Sequence, residues 1–196
     1  MRGGEFLDEI KMQENERLNA AEEGKPIRIW ELWRFATVSI LGTLLHFLYE
    51  WLKEPIWIAP FSGVNESTWE HMKLLFWPIM FFACVQGIFF SQHKGFACIK
   101  LRSTLIGLSL IPLLFYSYNG VMGKSPDWIN IAIFFISAAI AYAYEAVALY
   151  GKCSGRCNSK LAVGLLLAVA VLFTVFTFCP PEIAIFRDPV SGNFGI

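Results

Sequence analysis

The chain has 196 residues, of which 56% are hydrophobic and only 16% are charged, and this composition excludes an ordinary soluble domain. Its formal net charge is zero, so no global electrostatic field attracts nucleic acid and no nucleic-acid partner is expected. The apolar residues are clustered into runs close to bilayer length, which predicts a multi-pass membrane protein in contact with lipid.

The first 28 residues are predicted to form a polar cytoplasmic arm that precedes the membrane domain. Residues 5–23 show only weak helical periodicity, and Gly24, Lys25 and Pro26 would break any helix there. The apolar run that follows this arm is long enough to span a bilayer, so a cleavable signal peptide is not expected.

Five apolar runs follow the arm, and each has about the twenty residues that a membrane-spanning helix requires. Tryptophan residues at the predicted ends are typical of the aromatic belts at membrane surfaces. The sequence therefore predicts an all-α membrane domain, residues 29–179, built as a five-transmembrane-helix bundle. The predicted spans are Trp30–Leu52, Trp69–Phe90, Cys98–Tyr118, Trp128–Tyr150 and Leu161–Phe178.

The positive charges are distributed unevenly between the two predicted sides of the membrane. Twelve of the sixteen Lys and Arg residues lie in the amino-terminal segment and in the regions around the loops after the second and fourth spans. By the positive-inside rule, this places the amino terminus in the cytoplasm and the carboxy terminus outside. The remaining four residues are Lys53, Lys73, Lys124 and Arg187.

Side chains that can bind a metal ion lie at the predicted outer ends of the first two spans. An ionisable group inside a spanning helix costs on the order of 2.5–3.5 kcal/mol, so such groups usually face a partner or a water-filled cavity. The first span contributes a His and a Glu one helical turn apart, and the segment 65–71 that opens the second span contributes two Glu and one His. These residues are His46, Glu50, Glu66, Glu70 and His71.

Part of this pattern has a purely structural explanation. Ser67 and Glu70 match the Ser-x-x-Glu capping box, and acidic residues are favoured at a helix amino terminus. A capping box does not account for His71, Glu66 or the His/Glu pair on the first span. Two interpretations therefore stay open: a shared functional pocket, or a polar clamp between the first two helices.

Metal-dependent hydrolysis is the chemistry that this pattern favours, because imidazoles and carboxylates bind divalent ions of the zinc type. In this interpretation, His46, Glu50 and His71 bind the ion, and Glu70 or Glu66 activates water. The ligand set is small, since the chain has only three histidines and lacks a His-Glu-x-x-His motif.

Groups that would contact a substrate are predicted at the outer ends of the second and third spans and on the external tail, residues 180–196. The tail alternates prolines, apolar residues and a turn-forming Ser-Gly-Asn, so it is able to pack. Two interpretations of it stay open: a lid over the pocket, or a passive interfacial anchor. The predicted substrate-binding residues are Trp69, Tyr116, Asn119 and Asp188.

Two other function classes stay open. The first is a carrier or binding protein for a small cationic or polar solute. If the protein is a transporter, it would need to form a homo-oligomer, because the five spans contain no evident repeat. Glu145, near the inner end of the fourth span, would then be a proton or cation station; otherwise it forms an ion pair with Lys152 or Lys100. The second class is a non-catalytic accessory or sensor subunit. The sequence does not identify the small molecule or lipid.

Two cysteines, Cys153 and Cys157, share the predicted cytoplasmic loop after the fourth span. A disulfide is not expected there, because cytoplasmic thiols are kept reduced. Two thiols without a second pair or a nearby His form a weak metal site, so a flexible basic turn is favoured.

Three segments together resemble a known protein family. They are His-Phe-Leu-Tyr-Glu (46–50), Ser-Gly-Val-Asn-Glu-Ser-Thr-Trp-Glu-His-Met-Lys-Leu-Leu-Phe-Trp-Pro (62–78) and Asp-Pro-x-Ser-Gly-x-Phe-Gly (188–195). The chain is similar to a family of small bacterial five-span membrane proteins, mostly from Firmicutes, whose function is unknown. This resemblance implies a bacterial inner (plasma) membrane location and no particular reaction.

Overall fold

The computed structural model describes residues 29, 32–90, 95–150 and 157–196. Five helices in these ranges are long and apolar enough to cross a membrane, which confirms the predicted all-α, five-span class. The predicted amino-terminal arm, residues 1–28, lies outside the described residues. The helices are α1 (Leu32–Trp51), α2 (Thr68–Phe90), α3 (Phe96–Met122), α4 (Asp127–Tyr150) and α5 (Ser159–Phe178).

Helix α3 extends beyond its predicted bounds at both ends. The predicted span ended at Tyr118, whereas the structure continues the helix through Asn119, whose side chain donates to the Phe115 carbonyl (2.8 Å) and accepts from the Ser125 backbone N–H (2.7 Å). Asn119 is thereby satisfied inside the helix. The helix ends at Gly123, whose φ of 85° is strained for any residue with a side chain.

Small residues allow the helices to pack closely, as is common in membrane bundles. A Cβ atom added at Gly107 of α3 would lie 3.0 Å from Leu75 of α2 and 3.2 Å from Ala141 of α4. A Cβ atom added at Gly42 of α1 would lie 2.6 Å from the Phe134 ring of α4. These two glycines therefore allow close packing of α3 against α2 and α4, and of α1 against α4.

The carboxy-terminal tail packs against the helix ends that the sequence predicts to lie outside; we call these the outer ends and the opposite ones the inner ends. A short 3-10 helix (Ala184–Phe186) places the buried Phe186 ring 4.7 Å from the ring of Trp69, measured between centroids. Farther along, the Asn65 side-chain amide donates to the Gly195 carbonyl (3.0 Å). The tail is therefore anchored both to α2 and to the connection between α1 and α2.

A disulfide joins Cys98, at the start of α3, to Cys157, just before α5, with Cα atoms 6.4 Å apart. This corrects the expectation that Cys157 forms no disulfide. The sequence argument considered only the neighbouring Cys153, whereas the fold brings the starts of α3 and α5 together.

Candidate functional site

The connection between α1 and α2 folds back onto the outer end of α1. The Ser62 hydroxyl donates to the Leu45 carbonyl and accepts from the Tyr49 backbone N–H (3.0 Å). It therefore bridges a carbonyl and an N–H four residues apart in α1, which would otherwise pair with each other. The Gly63 N–H also donates to the Leu45 carbonyl (3.3 Å). These bonds hold the following segment, 64–71, beside His46.

The start of α2 forms half of the predicted capping box. The Ser67 hydroxyl accepts from the Glu70 N–H (3.4 Å), as predicted. The Ser67 N–H, however, donates to the Asn65 side chain (2.9 Å), and the Glu70 carboxylate accepts from the Val64 N–H (3.0 Å). This arrangement closes the loop around residue 66 and leaves the Glu66 carboxylate free of the capping interactions.

His46, Glu66 and His71 form the candidate metal site. Glu66 lies between the two rings: one carboxylate oxygen is 3.4 Å from His46 Nε2, and the other is 3.7 Å from His71 Nε2. One ligand atom from each of the three residues lies within 4.8 Å of the other two. The ring centroids of the two histidines are 5.5 Å apart. The fold therefore brings two imidazoles and one carboxylate together from α1, the loop and α2.

The tautomer of His71 is fixed by its backbone contact. Its Nδ1 lies 2.9 Å from the Ser67 carbonyl oxygen, and a carbonyl can only accept, so Nδ1 carries the proton and donates. In the neutral ring, the lone pair is then on Nε2, the nitrogen that faces Glu66. A metal-binding His is typically oriented in this way by a backbone carbonyl.

The spacing of these atoms fits a metal ion after a small contraction. Ligands at about 2.0–2.1 Å from a tetrahedral zinc ion lie roughly 3.3 Å from one another. The separation of 3.4 Å between His46 and Glu66 already matches this value, and the widest separation is at most 4.8 Å. With 46% of its side chain exposed, Glu66 has room to move toward the two histidines.

A cavity of about 240 Å³ adjoins the two histidines between α1, α2 and α4. We call it the α1–α4 cavity. Apart from the two histidines, Thr43 and Asn130, its side chains are apolar, and Gly42 completes the wall. It is lined by Gly42, Thr43, His46, Phe47, His71, Leu74, Asn130, Ile131, Phe134 and Phe135.

The structure does not bring Glu50 or Glu70 into the His/Glu group. Glu50 is exposed, because it lies one turn farther along α1 and the carboxylate beside His46 comes from the loop instead. Glu70 is only 2% exposed and forms an ion pair of 2.5 Å with Lys73. Lys73 in turn donates to the Ala59 carbonyl (2.8 Å) and the Thr177 hydroxyl (2.9 Å), so this pair connects the loop, α2 and α5.

The predicted substrate-binding residues lie in three different places. Trp69 packs against Phe173 and Phe186 in an aromatic cluster, and Asn119 forms the turn after α3. Tyr116 and Asp188 line an outer groove of about 520 Å³ beneath the tail. None of these four residues lines the α1–α4 cavity.

Asp188 organises the tail. Its carboxylate accepts from the Ser191 hydroxyl (2.5 Å) and from the backbone N–H groups of Val190 (2.9 Å) and Ser191 (3.2 Å). Burial raises the pKa of Asp188, but these hydrogen bonds, together with one from the Glu66 backbone, outweigh burial and hold the pKa below its usual value. The ionised carboxylate therefore ties the tail turn to the loop that carries Glu66.

Glu145 lies in a separate, fully buried polar network. It pairs with Lys100, as one of the sequence alternatives proposed, and with Arg34 (2.6 Å). Lys100 also donates to Gln86 (2.9 Å), and Ser103 donates to Glu145 (3.3 Å). This network joins α1, α2, α3 and α4. Lys152, the other predicted partner, lies outside the described residues.

Three residues with structural importance were not identified from the sequence. Asn130 lines the α1–α4 cavity, Ser62 folds the loop onto α1, and Arg34 contacts Glu145. The signal for Asn130 was present, since it is a polar residue in the first turn of a strongly apolar helix. No local signal pairs Arg34 with Glu145, because the two residues are 111 positions apart.

Comparison with known proteins gives a family match and no functional relative. A family model described as a family of unknown function (DUF6512) matches residues 21–196. No curated protein and no solved structure matches the chain.

Proposed function

Since the chain belongs to this family of unknown function, we propose its activity from the site alone: a metal-dependent hydrolase of the bacterial inner membrane. The observation that carries the proposal is the convergence of His46, Glu66 and His71 on one point. Two imidazoles and a carboxylate are the ligand set of a class of catalytic zinc sites, which keep the fourth position for water or substrate.

The immediate surroundings support binding of an ion over a simple polar clamp. A clamp needs only hydrogen bonds, yet Glu66 faces both histidines at 3.4 and 3.7 Å, distances too long for good hydrogen bonds. The proton of His71 is on Nδ1, so the lone pair of Nε2 is directed toward Glu66 and can bind an ion. The site adjoins a cavity through His46 and His71, so a ligand can reach it.

The hydrolytic step assigns two roles to Glu66. A bound zinc-type ion would polarise the substrate oxygen and acidify water. Glu66 would hold the ion through one carboxylate oxygen, and its other oxygen would accept a proton as the oxygen of the water forms a bond to the carbonyl carbon or phosphorus atom under attack. The bond from that atom to the leaving oxygen then breaks, and the leaving oxygen takes the proton from Glu66. His46 and His71 would hold the ion throughout the reaction.

The carrier and accessory-subunit alternatives remain predictions with less support from the described residues. Of the carboxylates considered for a solute path, Glu70 is paired with Lys73, Glu145 is paired with Arg34 and Lys100, and Glu50 is exposed. Only Glu66 adjoins the candidate site.

Metal content tests the proposal directly. We expect protein purified without chelator, loaded with zinc and desalted to hold about one ion per chain by plasma mass spectrometry. Glu66→Gln, His46→Ala and His71→Ala should each weaken zinc affinity by more than about tenfold. Glu50→Gln is the matched control, because Glu50 is exposed and outside the group, and it should retain the ion. Wild-type protein without bound metal, or loss of metal in Glu50→Gln but not in Glu66→Gln, would overturn the proposal.

A further inference from the structure

The α1–α4 cavity opens toward lipid. Thr43 and Phe47 of α1 and Ile131 of α4 line the cavity and are also exposed at the protein surface. All three lie within helices that are apolar enough to span the membrane. The medium outside this rim is therefore the bilayer, and a molecule entering between α1 and α4 comes from lipid.

A second, smaller recess lies beside the cavity and beside the candidate metal site. This recess is lined by Glu66 and Thr68 and shares His71, Asn130 and Phe134 with the α1–α4 cavity. Its volume is only about 20 Å³, about the space of one water molecule. The lipid-facing cavity and the recess beside the His/Glu group therefore lie next to each other.

The volume of the cavity indicates what it can hold. At about 240 Å³ it is larger than a cavity of roughly 150 Å³ that accommodates benzene, and below the range of roughly 300–1,000 Å³ of drug-sized pockets. A segment of a single hydrocarbon chain fits this space, while the rest of the molecule extends past the Thr43, Phe47 and Ile131 rim into the bilayer.

We infer that the substrate is a membrane amphiphile that enters laterally between α1 and α4, with a segment of its hydrocarbon chain in the α1–α4 cavity and its polar, hydrolysable group at His46, Glu66 and His71. This inference rests on the proposed hydrolase function and names its substrate class. It explains why a polar site adjoins an apolar cavity inside a membrane domain.

Photo-crosslinking tests whether the hydrocarbon chain of a lipid lies in the α1–α4 cavity. The protein is reconstituted in nanodiscs with phosphatidylglycerol that carries a diazirine on one acyl chain, and crosslinked peptides are identified by mass spectrometry. We expect crosslinks to the cavity-lining residues Leu74, Phe134 and Phe135. Thr43→Trp fills the cavity and should lower these crosslinks by at least about tenfold. Ile40→Trp, on the exposed face of α1 and outside the cavity, is the matched control and should leave them unchanged.

A second pair of variants covers the case in which Thr43→Trp does not fold. Ile131→Trp fills the cavity from α4, and Ile136→Trp on the same helix is exposed and does not line it. Crosslinks that persist in the cavity-filling variants, or that fall equally in the control variants, come from surrounding lipid and would overturn the inference.

Repeating the crosslinking with metal-free protein separates this inference from the proposed function. Because the hydrocarbon chain of the lipid contacts the apolar wall of the α1–α4 cavity, its crosslinks should persist in metal-free protein and in Glu66→Gln. Hydrolysis of the same lipid, followed by release of its labelled fatty acid, should require both zinc and Glu66. Cavity crosslinks without zinc binding would reject the hydrolase and keep a lipid site. Zinc binding without cavity crosslinks would reject the amphiphile and keep the metal site.

Discussion

At the scale of single residues, three carboxylates at the outer end of the bundle have the same chemistry and different surroundings. Glu50 is exposed, Glu66 lies between two imidazoles, and Glu70 is buried beside Lys73. The Lys73 ammonium and the Val64 N–H both contact the same oxygen of Glu70, Oε2, and hold this buried carboxylate in place. These surroundings favour a structural role for Glu70, and our proposal gives the chemistry to Glu66.

Replacing Glu70 distinguishes these two roles. Glu70→Gln leaves the Lys73 ammonium buried without its counter-charge, and we expect the free energy of unfolding in detergent to fall by about 3 kcal/mol. Zinc stoichiometry should stay at the wild-type value, because Glu70 is outside the His/Glu group. Glu50→Gln, at an exposed position, should change stability by less than about 0.5 kcal/mol. A stable Glu70→Gln protein that has lost its zinc would instead place Glu70 in the site.

At the scale of elements, the loop between α1 and α2 and the carboxy-terminal tail form one unit. The loop is held to α1 by Ser62, and the tail is held to the loop by the bond from Asn65 to the Gly195 carbonyl. The turn at Asp188 adds a contact to the Glu66 backbone. The position of Glu66 between the histidines therefore depends on a segment more than a hundred residues away in the sequence.

Low pH should release the tail. Because the folded pKa of Asp188 is lowered, its carboxylate stabilises the docked tail fully above the ordinary Asp pKa of about 3.9, and this contribution is lost as pH falls through the lower folded value. Hydrogen exchange at residues 188–193, corrected for intrinsic rates, should accelerate over that range. Asp188→Asn should show fast exchange already at neutral pH and little further change on acidification. Equal protection in both proteins at neutral pH would contradict this role of Asp188.

At the scale of the whole molecule, two polar networks lie toward opposite ends of the bundle with an apolar core between them. The inner network, around Glu145 and Lys100, joins four helices and is buried. The apolar core includes Leu75, Ile79 and Phe134, contributed by α2 and α4. The buried network at one end of the bundle therefore joins four helices, while α1, α2 and the loop between them carry the His/Glu group at the other end.

The fold was largely predictable because hydropathy is a local property, and a run such as Trp128–Tyr150 identifies a span without any knowledge of its neighbours. The site was predictable only in part. Helical periodicity correctly put His46 and Glu50 on one face, but periodicity cannot show that Ser62 folds the loop back and brings Glu66 to His46. The partners Arg34 and Glu145 likewise meet only through tertiary packing.

The orientation of the bundle remains a prediction that two natural cysteines test. Cys157 and Cys179 are both exposed and lie at opposite ends of α5. In single-cysteine variants, with the other cysteines changed to Ser, a membrane-impermeant maleimide should label Cys179 on intact cells. It should label Cys157 only after permeabilisation, because the positive-inside rule places that end in the cytoplasm. The reverse pattern would place the His/Glu group on the cytoplasmic side. It would also place the disulfide between Cys98 and Cys157 in the oxidising compartment, where disulfides normally persist.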